Sequence, residues 1–301
     1  MPALRVLVTG ATGFIGGCLV RALVERGDEA IAQVRDAAQR SRFSPSVRVV
    51  LDTALETDLG HVDAVVHLAG ERAVGVRWTQ SAKQRIRESR VATTEHLVRV
   101  FEGRSERPSV FVCASAVGYY GARTADETLD ESAEAGSDFL AEVCKEWEAA
   151  AERATALGIR VVRARLGVVF GPGGGALEEM VKPFRLYAGG PIGSGEQVVS
   201  WVHVDDVVGM LLRTLDDPKL SGAVNVVSPN PVPQAELARA LGKVLGRPSW
   251  LRVPAAALRA RFGEGAGPLL TGQRVVPLKM KQAGYVWHHP ELSPALASAL
   301  A

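Results

Sequence analysis

The sequence predicts an α/β protein, with a Rossmann-type doubly wound parallel sheet and a smaller C-terminal lobe. Three observations support this fold class. Short runs rich in Val, Ile, Leu and Ala alternate with helical patterns over most of the chain. A glycine-rich turn joins the first apolar run to the first helical pattern. After Gly167 the composition changes, and the chain becomes rich in glycine and proline.

Six apolar runs are predicted to form the parallel strands. They are residues 5–9, 30–34, 47–51, 64–68, 110–114 and 160–164. Runs that are apolar at nearly every position suit strands that are covered on both faces. The helical patterns between them supply the crossover connections of βαβ units. We therefore expect helices on both sides of one parallel sheet.

The Rossmann domain is placed in residues 1–170 and the smaller lobe in residues 171–301. Two segments, 171–175 and 189–195, are rich in glycine and proline and break the chain into loops. Short helices are predicted at 202–215, 234–245 and 255–262. The boundary near Gly171 is approximate, because we expect some later segments to return and pack on the sheet of the first domain.

The composition is that of an ordinary globular protein, with 47% hydrophobic residues, 23% charged residues and a net charge of +2. This charge gives no reason to expect nucleic acid or an acidic membrane surface as a partner. No apolar run approaches membrane-spanning length, and the N-terminus leaves no room for a signal peptide. These features predict a soluble, cytoplasmic protein.

The cysteines and histidines predict neither a disulfide nor a metal site. Cys18, Cys113 and Cys144 are odd in number and lie in apolar surroundings. They are interpreted as reduced core thiols. The six histidines are scattered, and no Cys/His pair has metal-ligand spacing.

The most informative motif is the glycine turn after the first strand. Gly10, Gly13 and Gly16 follow at three-residue spacing, and a helical pattern begins at once. Gly10 permits a tight turn, Gly13 a close approach of phosphates, and Gly16 close packing of helix on strand. The helix N-terminus then faces the anion. Because the strand–turn–helix context is present, dinucleotide binding is favoured over a plain tight turn, with this cofactor-binding set: Thr9, Gly10, Thr12, Gly13, Phe14, Ile15 and Gly16.

The end of the second strand favours NADP(H) over NAD(H). NAD-binding versions of this turn place an acid there to bond the ribose hydroxyls. Here that position holds Val34, and Arg35 follows with a planar guanidinium suited to a 2′-phosphate. Arg40 and Arg42 add charge in the next loop. The alternative is that Arg35 is a solvated residue at a strand end.

The segment 8–16 resembles the opening of the extended short-chain dehydrogenase/reductases, the NAD-dependent epimerase/dehydratase family. Segments 67–71, 165–172 and 201–206 fit the same family. Four further blocks resemble one atypical subgroup, labelled sugar-nucleotide epimerases without a firmly assigned reaction: 77–78 with 83–91, 115–121, 139–148 and 272–277. The resemblance implies an NADP-binding first domain, a substrate-side second lobe, and further cofactor contacts from Leu68, Ala69, Gly70 and Ser115.

Typical members of the family use a serine, a tyrosine and a lysine. The hydroxyls polarise the substrate oxygen and pass the proton, and the lysine lowers the tyrosine's pKa and holds the nicotinamide ribose. The resemblance puts the serine five residues before the glycine at 121. That position is Ala116, with Ser115 one residue earlier.

The tyrosine and lysine positions depart from the family pattern. Taking Glu148 as the family's acid places Cys144 at the lysine position and Leu140 at the tyrosine position. Lys145 would point well away from this stripe on a helix of 3.6 residues per turn. The Tyr/Lys pair is therefore predicted to be absent from this helix, whose cap is predicted to be Ser137.

Four residues remain as candidates for catalysis: Ser115, Tyr119, Tyr120 and Glu71. Tyr119 and Tyr120 follow Ser115 in the loop at the C-terminal end of the fifth strand, where nicotinamide and substrate are expected. Either tyrosine is a candidate proton donor, with aromatic packing as the alternative. Glu71 follows the fourth strand and is a candidate base or anchor, with a solvated loop acid as the alternative. His203 is interpreted as a hydrogen-bonded structural histidine.

Two functions stay open. The first is an NADP(H)-binding, epimerase/dehydratase-like enzyme, an oxidoreductase or epimerase acting on a small oxygenated or nucleotide-linked substrate through a non-standard site. The second is a catalytically silent NADP(H)-binding redox sensor or partner-docking protein. The expected partner is an unknown small-molecule substrate rather than nucleic acid or membrane, and the oligomeric state is open, a homodimer included.

Overall fold

The structure is a computed structural model that describes residues 3–301. Its centre is a seven-stranded parallel sheet, in which the strands follow the order β11-β7-β5-β4-β1-β2-β3. These strands are β1 (Arg5–Thr9), β2 (Glu29–Val34), β3 (Arg48–Leu51), β4 (Ala64–His67), β5 (Val110–Ala116), β7 (Arg160–Leu166) and β11 (Gly222–Val226). The six predicted strands are confirmed to within two residues at their ends. The seventh strand, β11, comes from the later part of the chain and pairs with β7.

Six short strands form three two-stranded pairs beside this sheet. They are β6 (Thr128–Leu129), β8 (Val168–Phe170), β9 (Val198–Val199), β10 (Trp201–His203), β12 (Val232–Pro233) and β13 (Arg274–Val275). β10 pairs with β8 and β13 with β6 in parallel, whereas β12 pairs with β9 antiparallel. These pairs hold the segments after β7 close to the end of the sheet.

The helices are α1 (Phe14–Arg26), α2 (Leu55–Asp58), α3 (Gln80–Glu102), α4 (Phe139–Glu152), α5 (Leu177–Arg185), α6 (Val204–Asp216), α7 (Gln234–Leu245), α8 (Ala255–Phe262), α9 (Gly267–Leu270), α10 (Leu278–Gln282) and α11 (Leu292–Leu300). Two of the three helices predicted after residue 171 have the predicted bounds. The third begins at Val204 rather than at 202, because Val202 and His203 pair with β8 as a strand. Among residues 3–301, no helix is both long and apolar enough to cross a membrane.

The sheet is covered on both faces, as its apolar strands require. Val6 and Val8 of β1 are fully buried against α1 and α6, and Leu7 is fully buried against α3 and α4. A further cluster beneath α5, α7 and α11 forms the core of the later segments. Parallel strands present their C-terminal ends at one edge, and the loops at that edge carry the candidate site.

Candidate functional site

The glycine turn after β1 has no room for side chains. Gly10 has φ of 64°, and a Cβ there would lie 2.8 Å from the carbonyl group of Leu68. A Cβ on Gly16 would lie 2.2 Å from the Gly10 carbonyl oxygen. Gly13 is exposed and is the N-cap of α1, with no side-chain cap and no acid in the first turn. The positive end of α1 is therefore left open for an anion.

A second glycine segment lies over this turn. The ring of Phe14, the first residue of α1, contacts Gly171, Gly174 and Gly175, where an added Cβ would lie within 3.0 Å of ring or side-chain atoms. The run 171–175 was predicted only as a loop. The structure shows that its glycines permit close approach to the first turn of α1, so this segment joins the turn to the second part of the chain.

The remaining predicted cofactor residues lie around the turn. Thr12 and Ile15 are half-buried in and beside the first turn of α1. Leu68 donates its N–H to the Thr9 carbonyl at 3.3 Å, and the Leu68–Ala69 peptide packs against Gly10. Gly70 follows Leu68 and Ala69 in this loop and is an exposed residue that packs against the guanidinium of Arg90. The loop after β4 is thus in direct contact with the glycine turn.

A buried histidine supports the turn from below. The side chain of His67, the last residue of β4, lies with its Nδ1 2.6 Å from Thr9 Oγ1. Burial lowers the pKa of His67 to about 3, so the imidazole is neutral. Sequence reasoning did not select His67, although it ends a strand beside the strand that carries the motif.

The end of β2 presents three guanidinium groups to solvent. Val34 is buried, whereas Arg35, Arg40 and Arg42 are exposed. The nearby Asp36 carboxylate accepts the backbone N–H two residues later at 2.9 Å and so caps the turn 37–42. The carboxylate closest to Arg35 in sequence is therefore engaged in capping this turn. The guanidinium groups remain available to an anion such as a phosphate.

A buried polar network lies at the C-terminal end of β5. Ser115 Oγ donates to Glu148 Oε1 at 2.7 Å. Arg165 binds both carboxylate oxygens of Glu148, at 2.8 and 2.9 Å, and donates to the Tyr120 hydroxyl at 3.0 Å. Tyr120 in turn donates to Asn225 Oδ1 at 2.7 Å. Glu148, Arg165 and Asn225 were not selected as site residues, because only the fold brings α4, β7 and β11 to Ser115.

The network separates the two candidate tyrosines. Tyr120 is fully buried, and burial raises its pKa to about 12. Its hydroxyl is held between Arg165 and Asn225, an enclosed position that favours a structural role over proton transfer. Tyr119 is only half-buried and contributes its ring, whose centroid lies 3.4 Å from Arg165 Cζ. The Tyr119 hydroxyl lies outside the network, so it is less constrained by hydrogen bonds than the Tyr120 hydroxyl.

Helix α4 turns Leu140 and Cys144 towards the same loop. A Cβ on Gly118 would lie 3.4 Å from Leu140 Cβ, and Cys144 Sγ lies 3.9 Å from the Ala116 carbonyl oxygen. Lys145 lies on the other side, where it pairs with Glu142 at 2.6 Å. The predicted helix register is therefore correct, since Cys144 and Trp147 are buried and Lys145 lies on the outer side. Burial raises the pKa of Cys144 to about 11, as expected for an unreactive thiol.

The predicted cap of α4 was wrong by one residue. The helix begins at Phe139, and its N-cap is Asp138 rather than Ser137. The Asp138 carboxylate accepts the Ala141 N–H at 3.0 Å. Either residue type caps helices well, so the sequence alone could not place the first turn to one residue.

Glu71 is not part of the buried network. Its carboxylate is exposed and lies 3.2 Å from Arg85 Nε. Its backbone carbonyl accepts Arg90 Nη2 at 2.8 Å, and its N–H donates to Ser89 Oγ at 3.0 Å. The structure thus anchors Glu71 to α3 through its backbone, and its side chain takes part in a solvated ion pair. This arrangement agrees with the solvated-acid alternative better than with a catalytic base.

The loop after β4 is also held from the later part of the chain. The ring of Trp78 packs edge-on against Phe139, with centroids 4.9 Å apart. A Cβ on Gly265 would lie 2.3 Å from the Val76 carbonyl oxygen, so backbone packs on backbone here. Lys83 and Glu264 form an ion pair beside this contact. Residues 263–266 therefore fix the loop 71–79 next to the start of α4.

Comparison with known sequences identifies two family models along the chain. Residues 6–227 match the NAD dependent epimerase/dehydratase family. Residues 253–299 match a domain of unknown function, DUF1731. The first match runs from the second residue of β1 to the end of β11 and includes every residue of the glycine turn and of the buried network.

Several curated relatives are similar over the whole chain. An Arabidopsis thaliana protein described as a chloroplastic homologue of the epimerase family protein SDR39U1 is 40% identical, over 99% of this chain and 87% of the relative. Human SDR39U1 is 37% identical over 99% of this chain and 100% of the relative. Since one of these relatives is chloroplastic, a cytoplasmic location stays a prediction for this chain.

Solved structures show the same fold. The human SDR39U1 isoform 2 crystal structure with NADPH has a TM-score of 0.88 and 34% identity, covering 98% of this chain and 99% of the other. A Bacillus cereus UDP-glucuronic acid 4-epimerase, in complex with UDP-glucuronic acid and NAD, has a TM-score of 0.80 at 18% identity and covers 98% and 97% of the two chains. The second likeness concerns the fold alone.

Proposed function

This chain belongs to the NAD-dependent epimerase/dehydratase family, and from this premise we propose that it binds NADP(H) and acts on a small oxygenated or nucleotide-linked substrate. The proposed site lacks the family's usual Tyr/Lys pair. The observation that carries the proposal is the glycine turn at Gly10–Gly16, with its open helix end and with an exposed Arg35 directly after β2, the strand that pairs with β1.

The residues of this turn suit NADP(H). Side chains are excluded at Gly10 and Gly16, and the exposed Gly13 leaves backbone N–H groups of α1 for a diphosphate. Arg35 would hold the 2′-phosphate, and Val34 offers the ribose no carboxylate. When bound, NADP(H) supplies or accepts a hydride. The NADPH in the human SDR39U1 structure supports NADP(H) as the cofactor, and the preference over NAD(H) rests on Arg35.

We assign proton transfer to Tyr119. A general acid must reach its substrate, and Tyr119 is half-buried with a hydroxyl outside the buried network. Its ring lies against Arg165, so a cation stands beside the aromatic ring that would carry the developing charge. Ser115 and Tyr120 bind Glu148 and Asn225, and they position the β5 loop rather than carry the proton.

A second function is favoured by a different observation. Leu140 and Cys144 cannot replace a tyrosine and a lysine as proton carriers, and the Ser115 hydroxyl donates to Glu148. These features suit a catalytically silent NADP(H)-binding protein that reports redox state or docks a partner. Such a protein would bind the cofactor with the same turn and would change no substrate.

One experiment separates the two functions. Purified protein is titrated with NADPH and NADH by calorimetry, and the loaded protein is then incubated with carbonyl, alcohol and sugar-nucleotide panels. Nicotinamide absorbance detects net redox change, and NMR with mass spectrometry detects epimers formed without it. We expect tighter binding of NADPH and at least one converted substrate. NADPH binding without any conversion would favour the silent protein, and absence of NADPH binding would contradict both functions.

A further inference from the structure

Four large apolar side chains are exposed on two adjoining segments in the later part of the chain. Among residues 3–301, seven large hydrophobic residues are exposed, and four of them are Leu186, Tyr187, Trp250 and Leu251. Leu186, Tyr187 and Trp250 are 77%, 60% and 74% exposed. Single exposed apolar residues are ordinary, whereas a group of them marks a surface that contacts a partner. We call these four residues the apolar patch.

Backbone contacts hold the two segments of the apolar patch together. The Leu251 N–H donates to the Gly189 carbonyl oxygen at 3.1 Å, and a Cβ on Gly190 would lie 2.2 Å from the Leu251 carbonyl oxygen. The guanidinium of Arg247 lies over the Tyr187 ring, with Cζ 4.5 Å from the ring centroid. The four side chains therefore belong to one surface, formed by the end of α5 and the loop between α7 and α8.

Tyr187 is presented at this surface by an uncommon backbone conformation. It follows the C-cap of α5 with φ of 60°, and in the part of the chain that the structure describes it is the one residue other than glycine with a positive φ. Ala188 donates its N–H to the Pro183 carbonyl oxygen at 2.9 Å, which closes the helix end. Glycine is usual at this position, because a side chain is disfavoured there. Strained backbone that persists at an exposed aromatic residue supports a functional role for its ring.

The surroundings of the apolar patch are strongly basic. Segments 180–195 and 246–263, which form and flank the patch, contain no acidic residue and six basic residues, all exposed: Lys182, Arg185, Arg247, Arg252, Arg259 and Arg261. Among residues 3–301, Lys182 alone of these six forms an ion pair, with Glu179. The net charge of +2 does not reveal this local excess, because the rest of the chain is net acidic.

We propose that the apolar patch and its basic surroundings bind the surface of a membrane that contains anionic lipids. Tryptophan and tyrosine side chains combine an apolar ring with a polar edge, so they lie favourably between lipid headgroups and acyl chains. Leucine side chains are stabilised there by leaving water. The arginines are attracted by the negative surface potential of anionic lipids, and their guanidinium groups can bind headgroup phosphates.

The composition of the surface favours a membrane over other anionic partners. A single-stranded nucleic acid would stack on the Trp250 and Tyr187 rings and bind the arginines, but it would leave the two leucines in water. A second copy of this chain, related by a two-fold axis, would bring one basic surface against another and would be repelled. A lipid surface covers aliphatic and aromatic side chains alike and also neutralises the cations.

The test is co-sedimentation of the full chain with vesicles of phosphatidylcholine alone and of equal parts phosphatidylcholine and phosphatidylglycerol. We expect binding to the anionic vesicles that added salt weakens, and binding to the neutral vesicles that is weaker by about tenfold or more. Trp250→Ser and Leu186→Ser should each weaken binding to the anionic vesicles by about tenfold, because each removes apolar surface. Arg247→Glu should also weaken it by about tenfold, because it reverses a charge beside the patch.

Two variants are matched controls. Val286→Ser removes an apolar side chain that is 81% exposed outside the apolar patch, and Arg99→Glu reverses an exposed charge on α3. Both should bind the anionic vesicles as the wild type does, and melting curves show whether each variant is folded. No binding of the wild type to anionic vesicles, or undiminished binding by folded Trp250→Ser and Leu186→Ser, would overturn the proposal. Binding to a single-stranded DNA oligonucleotide or to polyglutamate in place of the vesicles would also overturn it and would assign the surface to another anionic partner.

Discussion

Arg165 Cζ lies 3.4 Å from the centroid of the Tyr119 ring, while the same guanidinium binds both carboxylate oxygens of Glu148. One buried cation thus connects an ion pair to an aromatic face. Glu148 lies on α4, Arg165 on β7, and Tyr119 in the loop after β5. The contact ties three elements of the candidate site together, so its loss should affect both stability and site geometry.

Arg165→Met tests the stability part of this relationship. The substitution removes both guanidinium contacts of Glu148, which is nearly inaccessible to solvent, and leaves it with the Ser115 hydroxyl at 2.7 Å and the Arg163 guanidinium at 3.6 Å. Breaking a buried pair from one side costs about 3–5 kcal/mol in the free energy of unfolding. Urea denaturation of the variant measures this loss. Arg153→Met removes a surface pair with Glu95 and should change the free energy by less than about 1 kcal/mol. Equal losses of unfolding free energy in the two variants would show that the buried pair stabilises the protein no more than the surface pair.

Adjacent glycines in α1 provide a matched pair of variants. Gly16→Ala should clash, because its Cβ would lie 2.2 Å from the Gly10 carbonyl oxygen. We expect a loss of about 1–3 kcal/mol in the free energy of unfolding and about tenfold weaker NADPH binding. Gly17→Ala meets only Ala11 O at 3.7 Å and should stabilise α1 by about 0.5–1 kcal/mol. Calorimetry and thermal melting of both variants measure these effects, and unchanged NADPH affinity in Gly16→Ala would contradict the turn's role.

The elements with strong local patterns were predictable. The six apolar runs form strands because nearly every side chain in them is buried, as Val6, Leu7 and Val8 illustrate. The register of α4 was also predictable, because helical periodicity places Trp147 inside and Lys145 outside. In these cases the information lies in neighbouring residues, and tertiary contacts only reinforce it.

The features that were not predicted from the sequence depend on contacts between distant segments of the chain. Strand β11 was not predicted, because the short run 222–226 acquires its role only by pairing with β7. Glu148 was used only to set the register, and nothing in the sequence showed that Arg165 would bind it. The packing of the 171–175 segment on Phe14 likewise requires the fold. Long-range juxtaposition carries no local pattern, so these site features had to come from the structure.

His67 should make the free energy of unfolding depend on pH. The unfolded chain protonates this histidine near pH 6.5, whereas burial lowers its pKa to about 3 in the folded state. Between these values the unfolded state binds more protons, so stability falls as the pH falls, by about 1.4 kcal/mol per unit. His67→Asn keeps a polar group near Thr9 and removes the titration. The difference in unfolding free energy between the two proteins, measured from pH 7 to about 4, should therefore shrink on acidification; a constant difference would contradict the burial effect.

Arg35 should decide between the two nicotinamide cofactors. Its exposed guanidinium is proposed to bind the 2′-phosphate that NADPH has and NADH lacks. Hydrogen bonds to charged groups are worth about 1.5–3 kcal/mol, which is about ten- to a hundredfold in affinity. Arg35→Ala should weaken NADPH binding by this factor and leave NADH binding unchanged. Arg99→Ala, an exposed arginine on α3, is the control. Equal losses for both cofactors would contradict the assignment.

The two tyrosines after Ser115 should respond oppositely to removal of their hydroxyls. Tyr119→Phe keeps the ring against Arg165, so stability should change by less than about 0.5 kcal/mol. If Tyr119 carries the proton, turnover should fall about 10²- to 10⁴-fold. Tyr120→Phe instead removes the hydrogen bonds that Arg165 Nη1 and Asn225 Oδ1 make to the Tyr120 hydroxyl, and it should cost about 1–3 kcal/mol in stability.

Turnover of a substrate found in the NADPH-loaded panel, together with urea denaturation, separates the two effects. Tyr120→Phe should retain most of its turnover wherever it is folded, because its hydroxyl is enclosed by the network. Normal turnover in Tyr119→Phe would remove Tyr119 as the proton carrier. In that case Ser115, whose hydroxyl oxygen can still accept a hydrogen bond while donating to Glu148, would be the next hydroxyl to examine at the end of β5.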